Sequence, residues 1–213
     1  MLSLPSLQNM ACGLLTTSLG VTDMTYSPAT IANYFLDKAS QEGRALTPMQ
    51  ILKLVYVAHG WYLGFRGEPL INEPVEAWQY GPVIRSLYRK VKKFGSSAVT
   101  EKLNTFEFPF GGVATVEDPK VASLLDNVWN GYGHFGGIKL SEMTHMRGSP
   151  WWKVWNDDAG HARKCAVIPD DVIRQFYEKK IEAHRDGHYE SGTRDKAQQK
   201  RFDSEARAVA EHG

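Results

Sequence analysis

The chain is 213 residues long and carries 25 basic and 24 acidic residues for a formal net charge of +1. No global field therefore recruits nucleic acid or an anionic membrane, and any electrostatic binding has to be local. Its two cysteines, Cys12 and Cys165, exclude a disulfide framework or a cysteine-rich metal site, which fits a reducing cytoplasm.

Residues 1–23 contain no Lys or Arg. The basic start of a secretory signal is missing, so we expect a disordered N-terminal extension, either a dispensable leader or the result of a start codon upstream of Met24. The length suits one domain, expected over residues 24–190. Ser27 with Pro28 places a capping residue ahead of a proline, whose missing amide costs nothing in a first helical turn. Ile31, Tyr34, Phe35 and Leu36 then give the helix its packing side, and Gln41 to Arg44 end it.

Thr47 with Pro48 repeats that signal ahead of the most apolar stretch in the chain. From Met49 to Phe65 only Gln50, Lys53 and His59 interrupt it, which leaves no polar face wide enough for water and predicts a buried central helix. Lys53 and His59 divide the run too early for a membrane span, which needs about 18 uncharged residues. Lys53 is expected to snorkel, its stem buried and its ammonium at the surface. Gly67, Pro69, Asn72 and Pro74 stop the helix and leave Val75 to Tyr80 as a short strand or hairpin edge. Gly81 and Pro82 are expected to turn the chain directly into a further helix, with Ile84, Leu87, Tyr88, Val91 and Phe94 on its inner face. The outer face carries Arg85, Arg89, Lys90, Lys92 and Lys93, a solvated face or a phosphate contact.

Beyond a polar stretch from Ser96 to Thr105, the alternation of Phe106, Phe108 and Phe110 reads as an extended edge or a packed loop. Asp118 with Pro119 opens a helix lined by Val121, Leu124, Leu125, Val128 and Tyr132, which Gly131, Gly133, Gly136 and Gly137 should break. Ser141 with Glu142 is expected to cap a short helix carrying Thr144 and His145. Ser149 should cap the turn that bears Trp151, Trp152 and Trp155. Pro169, Asp170 and Asp171 begin a last core helix packed through Val172, Ile173, Phe176, Tyr177 and Ile181. Residues 191–213 form a charged C-terminal tail with too few large apolar residues to build a core.

The chemistry is mostly negative. His184 and His188 have the spacing of two ligands on a helix face, but Gly187 between them and polar surroundings argue for surface histidines, and no metal or cofactor is expected. There is no G-x-S-x-G elbow and no phosphate-binding glycine loop, and Thr144 beside His145 is not a dyad by adjacency, so we expect no enzyme. The aromatics are more suggestive. Trp78, Tyr80, Trp151, Trp152 and Trp155 lie beside prolines or glycines, where rings either wedge a turn onto the core or form rigid interface anchors.

Two stretches resemble a known family. KLVYVAHGWYLGFRGEPLINEPVEAWQYGPV, with Lys53 to Tyr56, Pro69 to Leu70, Glu76 to Trp78 and Gly81 to Val83, is similar to the first block of the Panacea domain, the SocA-like antitoxin family. SEMTHMRGSPW, from Ser141 to Trp151, is similar to the second block, and the resemblance covers roughly Tyr26 to Ile181. It implies a cytoplasmic antitoxin of a bacterial toxin–antitoxin system that binds its cognate protein toxin and, as a proteolytic adaptor, hands it to the ClpXP protease through ClpX. The expected toxin surface is Trp78, Tyr80, Gly81 and Pro82 with Thr144, His145, Pro150 and Trp151. The charged tail or the basic helix is then left for the protease. Neutralisation by direct occlusion, and DNA binding by the Arg85 to Lys93 face, are the alternatives. The fold expected is mainly α, a compact helical bundle around the buried central helix with a short β-hairpin or extended element.

Overall fold

Three of the four long helices start at a capping residue followed by proline, and those caps are made. In the computed structural model, which describes residues 25–105, 112–163 and 166–185, Ser27 Oγ accepts from the Thr30 amide at 3.1 Å and opens α1 (Pro28–Gln41). Thr47 and Gln50 form a reciprocal capping box at the start of α2 (Pro48–Arg66), which Gly67 closes in the left-handed conformation at φ +74°.

The chain then forms β1 (Val75–Trp78) and β2 (Gly81–Ile84), joined by Gln79 and Tyr80. Here the expectation needs correction: Gly81 and Pro82 do not open a helix but begin a second strand, and α3 (Arg85–Val91) starts only after Ile84. Gly81 lies at φ +101°, a positive-φ turn geometry that favours glycine, and pairs with Trp78 across the turn. Proline is tolerated in β2 because β2 is an edge strand: the sheet order is β2-β1-β3, antiparallel throughout, with β3 spanning Ala166–Ile168.

The helix α4 (Pro119–Tyr132) is capped by Asp118, whose carboxylate accepts from the Lys120 amide at 2.7 Å. It runs through Gly131 rather than breaking there, and α5 (Gly137–His145) follows from an N-cap at Gly136. Ser141 is thus a residue of the helix interior and not its cap. Ser149 does cap, accepting from the Trp152 amide at 3.1 Å, and α6 (Pro150–Trp152) continues into a π-helical turn from Lys153 to Asp157. The last helix is α7 (Asp170–Arg185).

As expected, α2 is the centre: every residue from Ile51 to Gly60 is buried, and α1, α4, α5, α7 and β2 all pack on it. Gly60 and Gly64 let α7 approach closely. A methyl at Gly60 would overlap the Tyr177 ring, and one at Gly64 would sit 2.8 Å from Tyr177 Cβ. Polar pins fix the periphery. Asn33 of α1 donates to the Leu103 carbonyl and accepts from the Leu103 amide, both at 2.8 Å, which ties down the polar loop after α3. The fold is mainly helical with one small sheet, as anticipated. The alternating phenylalanines at 106, 108 and 110, Cys12 and Cys165, and the expected N-terminal extension and charged tail lie outside the described residues.

Candidate functional site: the socket under the hairpin turn

The first signature block is a set of mutual restraints on the β1–β2 hairpin. Glu76, almost fully buried on β1, accepts from both arms of the Arg85 guanidinium at 3.0 and 2.9 Å and from the Trp78 indole at 2.8 Å. The bidentate geometry is the strong form of a carboxylate–guanidinium pair. Arg85 also lies 6.0 Å from the Trp78 ring centroid, and that ring packs edge-on against Tyr88 at 4.9 Å. Glu76, Trp78 and Arg85 therefore hold the outer side of the hairpin.

Its inner side is held by carbonyl capture. Lys53, in the second turn of α2 and only 1% exposed, donates from Nζ to the Tyr80 carbonyl at 2.6 Å and to the Pro82 carbonyl at 3.1 Å. The snorkelling expectation is therefore wrong: the ammonium goes inward, because carbonyl oxygens waiting at the turn replace the water it would otherwise seek. Ser141 Oγ of α5 donates to the same Tyr80 carbonyl at 3.3 Å. His145, one turn further on, donates from Nδ1 to the Ser141 carbonyl at 2.6 Å and holds Nε2 3.4 Å from the Gln79 carbonyl. Trp151 Nε1 donates to the Trp78 carbonyl at 2.8 Å. The carbonyls of Trp78, Gln79, Tyr80 and Pro82 thus all face groups from α2, α5 and α6.

This socket explains the residue types. Gly81 is required by its positive φ and by space, since a methyl there would overlap Lys53 Nζ and stand 2.7 Å from His145 Cε1. The short Nδ1–H bond to Ser141 selects the Nδ1–H tautomer of His145. Burial, with the Lys53 charge adding to it, pushes His145 down to about 4 against the opposing pull of the Ser141 and Gln79 carbonyls. Burial likewise brings Lys53 down to about 7, while the two carbonyls it holds favour its charged form. The second signature block packs the floor. Thr144 Oγ1 donates to the Ser141 carbonyl at 2.8 Å, Ser149 Oγ donates to the Thr144 carbonyl at 3.0 Å, and the Trp151 ring sits 4.1 Å from His145 and stacks on Trp155 at 5.6 Å.

The expected partner-binding residues thus come together, but mostly inside. Gly81, Pro82, Thr144, Pro150 and Trp151 are buried, Trp78 and His145 half-buried, and Tyr80 alone of the set is open, at 50% exposure. Gln79 beside it is also exposed. The basic face divides: Arg85 is committed to Glu76 and Lys93 is paired with Glu101, whereas Arg89 and Lys92 are exposed and Lys90 is half-buried. Sequence reasoning missed Lys53 and Ser141 as members of the site. The available signal was Lys53 itself, because a lysine inside an uninterrupted buried helix has to be paired.

Among the described residues no group of His, Cys, Asp and Glu could hold a metal ion, and no helix is long and apolar enough to cross a membrane. Residues 51–152, which contain both blocks, match the family model described as antitoxin SocA-like, Panacea domain. The chain is 28% identical over 150 residues to antitoxin SocA of Caulobacter vibrioides, across 69% of this chain and 80% of that protein. No solved structure matches.

Proposed function

We propose, from the match of residues 51–152 to the SocA-like Panacea model and the likeness to an antitoxin, that this protein is an antitoxin and binds its cognate toxin at the hairpin tip. The tip is Gln79 and Tyr80, and the bound toxin is handed to ClpXP for degradation. The observation that carries the reading is that both signature blocks of the family converge on one turn and leave Tyr80 as its exposed aromatic. A tyrosine on a rigid turn offers a large, low-entropy contact area, which is what interface anchors have in common.

An adaptor needs a second surface for the protease, so that tethering raises the toxin's local concentration there. We assign that role to the charged tail, residues 191–213, beyond a domain over 24–190 that follows the 1–23 extension, in a protein of the cytoplasm. A DNA-binding role has less support, because Arg85 and Lys93 are already paired with carboxylates. It would predict retention on DNA that weakens steeply with salt.

The test is the half-life of the adjacent gene's product after synthesis is blocked, with and without this protein and with and without ClpXP. Loss that needs both is the expected result. Suppressed toxicity with an unchanged half-life would instead mean occlusion, and deletion of 191–213 with full turnover would remove the tail from the mechanism.

A further inference from the structure

Lys53 is costly for the fold to keep. Its partners among the described residues are backbone carbonyls, and a well-packed apolar side chain at this position would avoid burying a charge at all. The oxygens it holds are not spread over the core. They belong to Tyr80 and Pro82, the two residues that bracket Gly81, directly beneath the exposed tip. The space for the ammonium exists only because Gly81 has no side chain.

We infer that Lys53 is a positioning residue for partner recognition: from beneath the turn its ammonium sets the conformation in which Gln79 and Tyr80 meet the toxin. This rests on the reading that the hairpin tip is the toxin contact. A charged Lys53 cannot release a carbonyl without stranding its charge in apolar surroundings, whereas a neutral amine donates more weakly and can let go. The tip is therefore held most firmly when Lys53 is protonated. Its lowered pKa, about 7, brings that change into an accessible range. The titratable group packed against it, His145 of α5, is already neutral there, with its pKa near 4. On β1 the Glu76 carboxylate is committed to Arg85 and Trp78.

The experiment titrates the full-length protein with the product of the adjacent gene at pH 6, 7, 8 and 9, in the wild-type, Lys53→Met and Tyr80→Ala forms. At pH 6 both substitutions weaken binding at least ten-fold. The wild type weakens several-fold between pH 6 and 9, and that added slope is missing from Lys53→Met. If Tyr80→Ala binds as tightly as the wild type, or the wild type does not bind, the tip reading and this inference fall together. If Tyr80→Ala is weakened but a folded Lys53→Met is not, the inference alone is overturned. Should Lys53→Met not fold, amide hydrogen exchange of Gln79, Tyr80 and Gly81 in the wild type decides. Protection that falls between pH 6 and 9 after correction for base catalysis supports the inference, and constant protection overturns it.

Discussion

Two neighbours meet α2 by opposite means. Along its contact with α7 the helix removes side chains: Gly60 and Gly64 leave a groove that the Tyr177 ring fills, and the contact is held by shape and apolar area. Along its contact with the hairpin it inserts a charge, Lys53, between two carbonyls, those of Tyr80 and Pro82. The first contact is non-directional, and its cost of disruption is set by volume. The second is directional and fixes where the Tyr80 and Pro82 carbonyls of the turn must point, so it gives geometry more than stability. A surface that has to recognise a partner gains more from the second kind.

The sharpest way to break this contrast is Gly60→Ala. Its methyl would overlap the Tyr177 ring, and we expect a loss of about 3 kcal/mol or more in denaturant unfolding, the upper end of overpacking costs. Gly131→Ala, on an exposed helical position with nothing within 4 Å, should instead stabilise by about 0.5 to 1 kcal/mol. Equal effects at the two glycines would mean that the seam is not held by shape.

The socket should show itself in acid. His145 has a folded-state pKa of about 4 against an ordinary 6.5, so the folded state binds its proton less well than the unfolded chain does. Its contribution is fully present above pH 6.5 and is lost as the pH falls through about 4. Urea unfolding at pH 7, 5 and 4 should lose up to roughly 3 kcal/mol from this group, and His145→Gln should flatten that part of the slope. A variant with the wild-type slope would place the acid sensitivity elsewhere.

The smallest loss of stability is expected at Trp151→Phe. It keeps most of the stack on Trp155 and removes the donor to the Trp78 carbonyl, at a cost of about 1 kcal/mol in thermal or denaturant melts. If the socket gives geometry rather than stability, this variant should lose more toxin affinity than its melting point suggests.

Much of the fold was legible because it rests on local chemistry. The caps at Ser27, Thr47, Asp118 and Ser149 and the apolar run of α2 depend on neighbours in sequence, and each was made where the residues called for it. Where a local reading went wrong, a distant group had overridden it. Gly81 and Pro82 resembled a helix start because proline suits a first turn, but β1 offered a strand partner across two residues. Ser141 resembled a cap, but its hydroxyl was taken by the Tyr80 carbonyl, 61 positions away.

What the sequence determined by itself was the helical class, the central place of α2 and two blocks that resemble the Panacea pattern, since periodicity and order are properties of the chain. Only the tertiary structure decided that Lys53 turns inward, that Trp151 grips Trp78 from 73 positions away, and that most of the aromatic and histidine signature is socket rather than surface. The reason is energetic. A buried charge or donor goes to whichever acceptors the folded chain brings within about 3 Å, and nothing in the linear order of residues states that distance.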